Sequence, residues 1–345
     1  MSNKQQALGW SQFFQSQCTE SELNNFQFAR IFAMQKESVL LKTIEDEFWI
    51  PLSGTMRSSD PFVVGDWFLF DAQQQKIIRR LNRKSLFKRV TSAKHLYIQL
   101  IGANIDTLFI VTSCNDDFNL NRLERYLTFA NDAQTQAVII VTKSDLCADI
   151  TPYKEALKEL GDMDYAFVNG CNAESLKPLQ QWCGVGQTIA LMGSSGVGKS
   201  TIVNTLMGDD IQLTADIRAD DSKGRHTTTH RSIHSLKDGG LLLDSPGIRE
   251  LQTLATQEAV DATFGDIVTL AHNCQFRDCN HDTEVGCAVK AAIAEHQLSQ
   301  RRFDNYKKLC FESARANQML DKRLKSERQT SKYRQSNKVK YKQLK

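Results

Sequence analysis

The 345-residue chain contains no run of about eighteen apolar residues, so no helix is expected to cross a membrane. Its first residues, Met1-Ser-Asn-Lys-Gln-Gln, lack the basic-then-apolar pattern of a secretory leader. A cytoplasmic protein with no membrane partner is therefore expected. No internal repeat is present, and no strong net charge either: the formal balance is +3. That small charge is unevenly spread. Residues 76–89 carry seven basic and no acidic side chains, and residues 321–345 hold ten basic ones against Asp321 and Glu327. Two basic segments on a nearly balanced chain suggest contact with a polyanion. Hydrophobic residues make up 41% of the chain, enough for packed cores, and the length fits two or three domains.

The richest segment for chemistry is Gly193, Ser194, Ser195, Gly196, Val197, Gly198, Lys199 and Ser200, which matches G-x-x-x-x-G-K-[ST]. The apolar run Thr188–Met192 before it reads as a buried strand. The segment Ser200–Leu206 after it, with Thr201 in its first turn, reads as a helix. That setting separates a phosphate loop from an ordinary Gly/Ser turn. Loop amides and the helix N-terminus would surround phosphates, Lys199 would reach the β- and γ-phosphates, and the Ser200 hydroxyl would hold Mg²⁺.

Upstream, Ala137–Val141 is a β-rich run leading into Thr142, Lys143, Ser144 and Asp145. This resembles the N/T-K-x-D element of GTP-binding proteins, where the Asp accepts two hydrogen bonds from guanine and the Lys stem packs along the base. The end of a strand is where α/β sheets bind ligands. Downstream, Gly240–Asp244 reads as a strand ending in D-x-P-G. Asp244 would hold Mg²⁺ through water, and the Gly247 N–H would meet the γ-phosphate. Between them lies Gly224-Arg-His-Thr-Thr-Thr-His230, the place for a threonine switch. Thr228 is the candidate Mg²⁺ ligand, with Thr227 and Thr229 as alternatives. Tyr165–Asn172 loosely matches the strand and loop that back the guanine. This order, with both guanine elements ahead of the phosphate loop, resembles a circularly permuted GTPase.

Short β-rich runs fill residues 28–90: Ala29–Met34, Val39–Thr43, Phe48–Leu52, Phe62–Phe70 and Lys76–Leu81. They suggest a small barrel, an OB-fold or an SH3-like barrel, with OB as the expectation. Residues 1–27 read as a short helical extension. From Leu108 onward strands and helices alternate, with Asn121–Ala130, Tyr153–Leu160 and Leu176–Trp182 helical, as in a mostly parallel, doubly wound sheet.

The nine cysteines are scattered except for Cys274, Cys279 and Cys287, which with His281 give C-x4-C-x-H-x5-C. Three thiolates and an imidazole make a closed tetrahedral set, so one structural Zn²⁺ is expected. Helices should follow at Ala288–Glu295 and from Arg301 to about Glu327.

Together these residues resemble the ribosome-small-subunit-dependent GTPase A family of bacteria over about residues 28–310. Further matches are Val64-Gly-Asp-Trp67, Arg83-Lys-Ser85, Gly102-Ala-Asn-Ile-Asp106 and Arg122-Leu-Glu-Arg-Tyr126. The resemblance implies a multidomain α/β protein with an OB-like barrel, 28–99, a permuted GTPase domain, 100–252, and a helical zinc domain, 253–328; the extension 1–27 and the basic tail 329–345 are read from the sequence alone and are not implied by it. It implies a monomer that hydrolyses GTP to GDP and phosphate with Mg²⁺. It also implies stimulation by the 30S subunit, contact with 16S rRNA, and action late in 30S maturation. Two positions depart from the family pattern. Thr142 stands where Asn is commoner, removing an amide that braces loops, and Asn169-Gly170-Cys171 stands where a Ser-rich loop is expected. Ile248 also follows D-x-P-G where many GTPases place a water-orienting Gln. His226 is the candidate replacement; a loop-surface histidine or an RNA contact are the alternatives. The rival reading is a GTP-gated RNA-binding checkpoint in which hydrolysis is incidental. An ATPase or kinase is disfavoured by Asp145 and by the lack of a recognisable kinase substrate pocket.

Overall fold

The computed structural model describes residues 3–52, 61–90, 98–208, 231–245, 255–319 and 322. The expected switch residues His226, Thr227, Thr228 and Thr229, Gly247 and Ile248 of the D-x-P-G segment, and the basic tail lie outside them. The chain divides into two compact units, one drawn from Met1–Arg89 and Ile98–Leu251, the other from Val90–Tyr97 and Gln252–Lys345. No described helix is long and apolar enough to cross a membrane.

In the first unit, β8 (Thr107–Ser113), β9 (Gln136–Thr142), β10 (Tyr165–Phe167), β11 (Thr188–Met192) and β13 (Leu241–Asp244) form a parallel sheet in the order β10-β9-β8-β11-β13. The central strands are apolar on both faces, as parallel strands covered by helices must be. Successive residues divide between two cores. Leu108, Ile110, Ile139, Val141, Ala190 and Met192 pack with Leu123, Leu127 and Ala130 of α4 (Leu120–Asp132). Phe109, Val111, Val138, Ile140, Ile189 and Leu191 face the other way, toward Leu176 of α6 (Ala173–Leu176) and Ile202 of α7 (Lys199–Met207). The helix over Thr151–Lys158 is α5. The expected helix 176–182 is instead one α-turn followed by a 3-10 stretch, Lys177–Trp182, with Pro178 at its start.

The sheet continues through β12 (Arg231–Ser235), antiparallel to β13, into the N-terminal strands β1 (Gln27–Met34), β2 (Ser38–Lys42), β3 (Glu47–Pro51), β4 (Trp67–Asp71) and β5 (Lys76–Arg80). β1 is the joint. Residues 27–30 pair with β4, residues 33–34 with β12, and a register shift between Ile31 and Ala33 interrupts its pairing with β2. A separate two-stranded sheet joins β6 (Leu86–Val90) to β7 (Ile98–Ala103).

The expected strand 62–70 begins only at Trp67. Before it the chain turns: the Asp66 carboxylate accepts the Val63 N–H at 2.9 Å, and Gly65 sits at φ 94 with no room for a Cβ beside the Ala103 carbonyl. Asn104 bridges this turn to the segment between β5 and β6, donating to the Gly65 carbonyl and accepting the Lys84 N–H. Ser85 exchanges hydrogen bonds with the Ile105 backbone. The V-G-D-W, R-K-S and G-A-N-I-D segments therefore form one polar seam.

The N-terminal extension is built into this unit. Three short helices, α1 (Asn3–Ala7), α2 (Gln12–Gln15) and α3 (Glu20–Asn25), precede β1. Trp10 stacks on Phe28 at 3.9 Å. The fully buried Arg30 donates to the carbonyls of Leu8 and Asn104. A Thr19/Glu22 capping box opens α3. The Arg79 guanidinium, aided by the Thr19 N–H, holds the Glu22 carboxyl down at about 2.

In the second unit, α8 (Gln257–Thr263), α9 (Gly265–Ala271), α10 (Ala288–Ala294) and α11 (residues 300–319) close around Val260, Phe264, Ile267, Val289, Leu298 and Phe303. Arg302 donates to Asp266 through two nitrogens and to the Thr263 carbonyl.

Candidate functional site

Because β8, β9, β10, β11 and β13 are parallel, the chain leaves all five strands at one sheet edge. The loop 193–198 follows β11 there. Gly193 has φ 151, and a Cβ on it would lie 2.1 Å from the Val111 carbonyl, so only glycine lets the loop leave the strand. Gly196 and Gly198 also take positive φ, 76 and 96, and α7 begins at Lys199. The Lys199 ammonium donates to the loop's own Gly193 carbonyl at 2.8 Å and to the Ser194 carbonyl. Ser200 and Thr201 sit in the first turn of α7, where amide N–H groups have no partner within the helix.

The T-K-x-D element ends β9 beside this loop. The Thr142 hydroxyl is buried, 2.6 Å from the Val197 carbonyl and 3.1 Å from that of Thr112. Lys143, at φ 59, donates its ammonium to the Gly196 carbonyl at 3.0 Å. Thr142 lacks the amide of the commoner Asn, but its hydroxyl reaches the phosphate loop itself. Asp145 lies on the 3-10 turn Ser144–Leu146, with its side chain exposed. Thr142→Val keeps the shape and removes the hydroxyl, leaving buried carbonyls short of a donor at a cost of about 1–3 kcal/mol. A lower melting temperature and weaker GTP binding are expected together, read by thermal denaturation and nucleotide titration. An unchanged variant would show that the brace is idle.

Asn169, Gly170 and Cys171 follow β10. The Asn169 carboxamide accepts the Cys171 N–H, and the Gly170 carbonyl accepts from Thr205 of α7 at 2.8 Å. This loop thus borders the helix that follows the phosphate loop. Asp244 closes β13.

The basic segment 76–89 behaves differently from its composition. Arg79 pairs with Glu22 at 2.8 Å, Arg83 with buried Asp66 at 2.6 Å, Lys84 with Asp106 at 2.8 Å and Lys88 with Asp132 at 3.4 Å. Much of its charge is neutralised by carboxylates from other parts of the chain.

In the second unit the ligand atoms of Cys274, Cys279, His281 and Cys287 all lie within 4.8 Å of one another. Cys274 Sγ is 3.9 Å from Cys287 Sγ and 3.6 Å from His281 Nδ1, which is 3.3 Å from Cys287 Sγ. A tetrahedral ion with metal–sulfur bonds near 2.3 Å sets sulfur–sulfur edges at about 3.8 Å. The cluster therefore fits a zinc ion. Burial pushes the Cys274 thiol up, but hydrogen bonds from the Val289 and Ala288 N–H groups and from the Cys279 and Cys287 side chains together hold it below its usual range. Burial lowers His281, favouring the neutral ring a metal needs. The Glu284 carboxylate accepts the N–H groups of Asn280, Asp282 and Thr283, fixing the turn that carries His281.

Comparison with known proteins agrees with this geometry. The family model described as RsgA GTPase matches residues 80–254. The chain is 46% identical over 314 residues to small ribosomal subunit biogenesis GTPase RsgA 2 of Vibrio parahaemolyticus, covering 91% of this chain and 87% of that protein. It is 42% identical to small ribosomal subunit biogenesis GTPase RsgA of Mesorhizobium japonicum, with 89% of each chain covered. Its fold resembles YjeQ from Thermotoga maritima, with TM-score 0.62, 22% identity, and 84% of this chain and 98% of that one covered. YloQ, described as a circularly permuted GTPase, matches at TM-score 0.62 and 22% identity, with 86% and 98% covered. A phosphate loop stitched to a T-K-x-D turn that precedes it in the chain, and relatives alike over nine-tenths of its length, place this chain in the RsgA GTPase family.

Proposed function

We propose that the protein hydrolyses GTP to GDP and phosphate in biogenesis of the small ribosomal subunit, as the names of its relatives state for them. The observation that carries the reading is the pair of hydrogen bonds from Thr142 and Lys143 to the carbonyls of Val197 and Gly196, which joins base recognition to phosphate binding. In this reading Asp145 accepts from guanine, and residues 193–198 wrap the phosphates. Lys199 leaves the loop carbonyls for the β- and γ-phosphates. Ser200 and Thr228 hold Mg²⁺, with Asp244 behind it through water and the Gly247 N–H on the γ-phosphate. Mg²⁺ neutralises charge that develops on the phosphates. His226 positions the attacking water.

The finer architecture belongs to the same proposal. The antiparallel set β1–β5 is an OB-type barrel within residues 28–99, the nucleotide domain spans 100–252, and 253–328 is a zinc domain holding one structural Zn²⁺. The protein acts as a cytoplasmic monomer on the 30S subunit and touches 16S rRNA. Since Arg79, Arg83, Lys84 and Lys88 hold acidic partners, the tail 329–345 gains weight as a source of phosphate affinity.

The test is GTP turnover with and without purified 30S subunits. Stimulation is expected. GTP binding without any change in turnover would favour the checkpoint in which hydrolysis is incidental. Asp145→Asn turns one guanine acceptor into a donor facing a donor, so GTP affinity should fall about 5- to 150-fold, the equivalent of 1–3 kcal/mol. ATP competing as well as GTP against the wild type would refute the guanine assignment.

A further inference from the structure

Three loops at one edge of the parallel sheet are tied to one another in a ring. Thr142 and Lys143 donate to the phosphate loop at the Val197 and Gly196 carbonyls. The Ser144 N–H donates to the Val168 carbonyl, just past β10, at 3.4 Å. The ring closes through Thr205 of α7, whose hydroxyl donates to the Gly170 carbonyl at 2.8 Å across 35 positions of sequence. A helical threonine ordinarily turns its hydroxyl onto the carbonyl four residues back. Here that carbonyl, of Thr201, lies farther off, at 3.1 Å, and the hydroxyl has one proton to give. Gly170 is buried, and a Cβ on it would meet Ile202 Cγ1 and Thr201 Cγ2 at 3.5 Å, so the loop rests on the first turn of α7. The remaining bonds of the loop are local: the Ser175 hydroxyl accepts the Asn169 N–H at 2.8 Å, and the Asn169 carboxamide accepts the Cys171 N–H at 3.0 Å. Thr205 joins residues 169–171 to the helix that begins at Lys199.

We propose that Thr205 is a positioning residue for base selection: its hydroxyl holds loop 169–171 at a set distance from the phosphate loop, where the backbone of that loop meets the purine. This role rests on the proposed contact of the loop with guanine. Guanine carries a carbonyl at its 6-position, which accepts from a backbone N–H, whereas adenine carries an amine there, which donates. A loop N–H separates the two bases only when it stands within hydrogen-bond reach, about 2.7–3.2 Å from the 6-oxygen. A loop released from α7 can drift out of that range and lose the distinction.

The role differs from that of Asp145. A carboxylate accepts from the ring N–H and the 2-amino group of guanine, on the part of the base away from the 6-oxygen. Inosine triphosphate keeps the 6-oxygen and the ring N–H and lacks the 2-amino group. Loss of the Thr205 bond should therefore weaken GTP and inosine triphosphate alike, while a fault at Asp145 changes their ratio. Lys199 and residues 193–198 keep their own bonds in either case, so the grip on phosphates is spared.

The test titrates GTP, inosine triphosphate and ATP into the full chain as wild type, Thr205→Val, Thr205→Ala and Thr205→Ser. Valine keeps the shape and removes the donor, alanine gives the same loss where valine does not fold, and serine keeps the donor. In Thr205→Val, affinity for GTP and inosine triphosphate should fall together by at least about 5-fold, the low end of leaving a buried carbonyl unpaired. ATP affinity should stay the same, and Thr205→Ser should bind all three as the wild type does. Equal weakening of all three nucleotides would show a merely structural contact and overturn the proposal. Unchanged GTP binding in the donor-free variants, a loss confined to GTP, or a serine variant that behaves like valine overturns it as well. A wild type that binds ATP as well as GTP overturns the guanine reading itself, and that failure is visible without any variant.

Discussion

Lys199→Ala is expected to abolish GTP hydrolysis, lowering turnover by at least about 100-fold, the scale of losing one preorganised charge partner in a transition state. The loop gives the reason. The ammonium rests on the Gly193 and Ser194 carbonyls, inside the ring of amides that phosphates would fill. Charge developing on the transferred group would find no fixed cation without it. Ser200→Ala should act as strongly, since in the proposed reading its hydroxyl at the start of α7 would hold Mg²⁺. Removing Lys199 also frees two loop carbonyls, so each variant is compared by thermal denaturation without nucleotide. A small shift in melting with a large loss of phosphate release separates chemistry from folding. Near-normal turnover at saturating GTP and Mg²⁺ in either folded variant would reject the phosphate-loop assignment.

The parts legible in the sequence are those whose chemistry is local. Thr188–Met192 is bounded correctly because a strand buried on both faces is a plain apolar run, and the glycines after it mark where the backbone must turn. C-x4-C-x-H-x5-C folds within fourteen residues, so spacing alone brought its four ligands together. What stayed hidden depends on partners far along the chain. Arg79, Arg83, Lys84 and Lys88 read as a bare cationic run, because Glu22, Asp66, Asp106 and Asp132 meet them only in the fold. Arg30 looked like any strand arginine, yet it is buried among carbonyls of Leu8 and Asn104. β12 was missed since Arg231–Ser235 is polar and takes its register from β13. The Thr142 brace needed the distance from β9 to the phosphate loop, which no motif encodes.

Metal loss should unfold the second unit and spare the first. The core around Val260, Phe264, Ile267, Val289 and Leu298 is small, and small domains are marginal without a staple. A structural zinc contributes about 10–16 kcal/mol of apparent binding energy, as much as the whole stability of an ordinary domain, about 5–15 kcal/mol. The ligands also carry local structure. Cys287 accepts the Lys290 N–H at the start of α10, and the His281 ring packs edge-on near Phe303 of α11. Cys279→Ser or His281→Ala should therefore remove helical signal and expose residues 255–319 to proteolysis. GTP binding should persist, since none of the described nucleotide-site residues belongs to that unit. Elemental analysis of protein purified without chelator should give one zinc per chain. Protein that holds no zinc, or a Cys279→Ser variant whose C-terminal helices resist protease as well as the wild type, would show that the four side chains cluster without a structural ion.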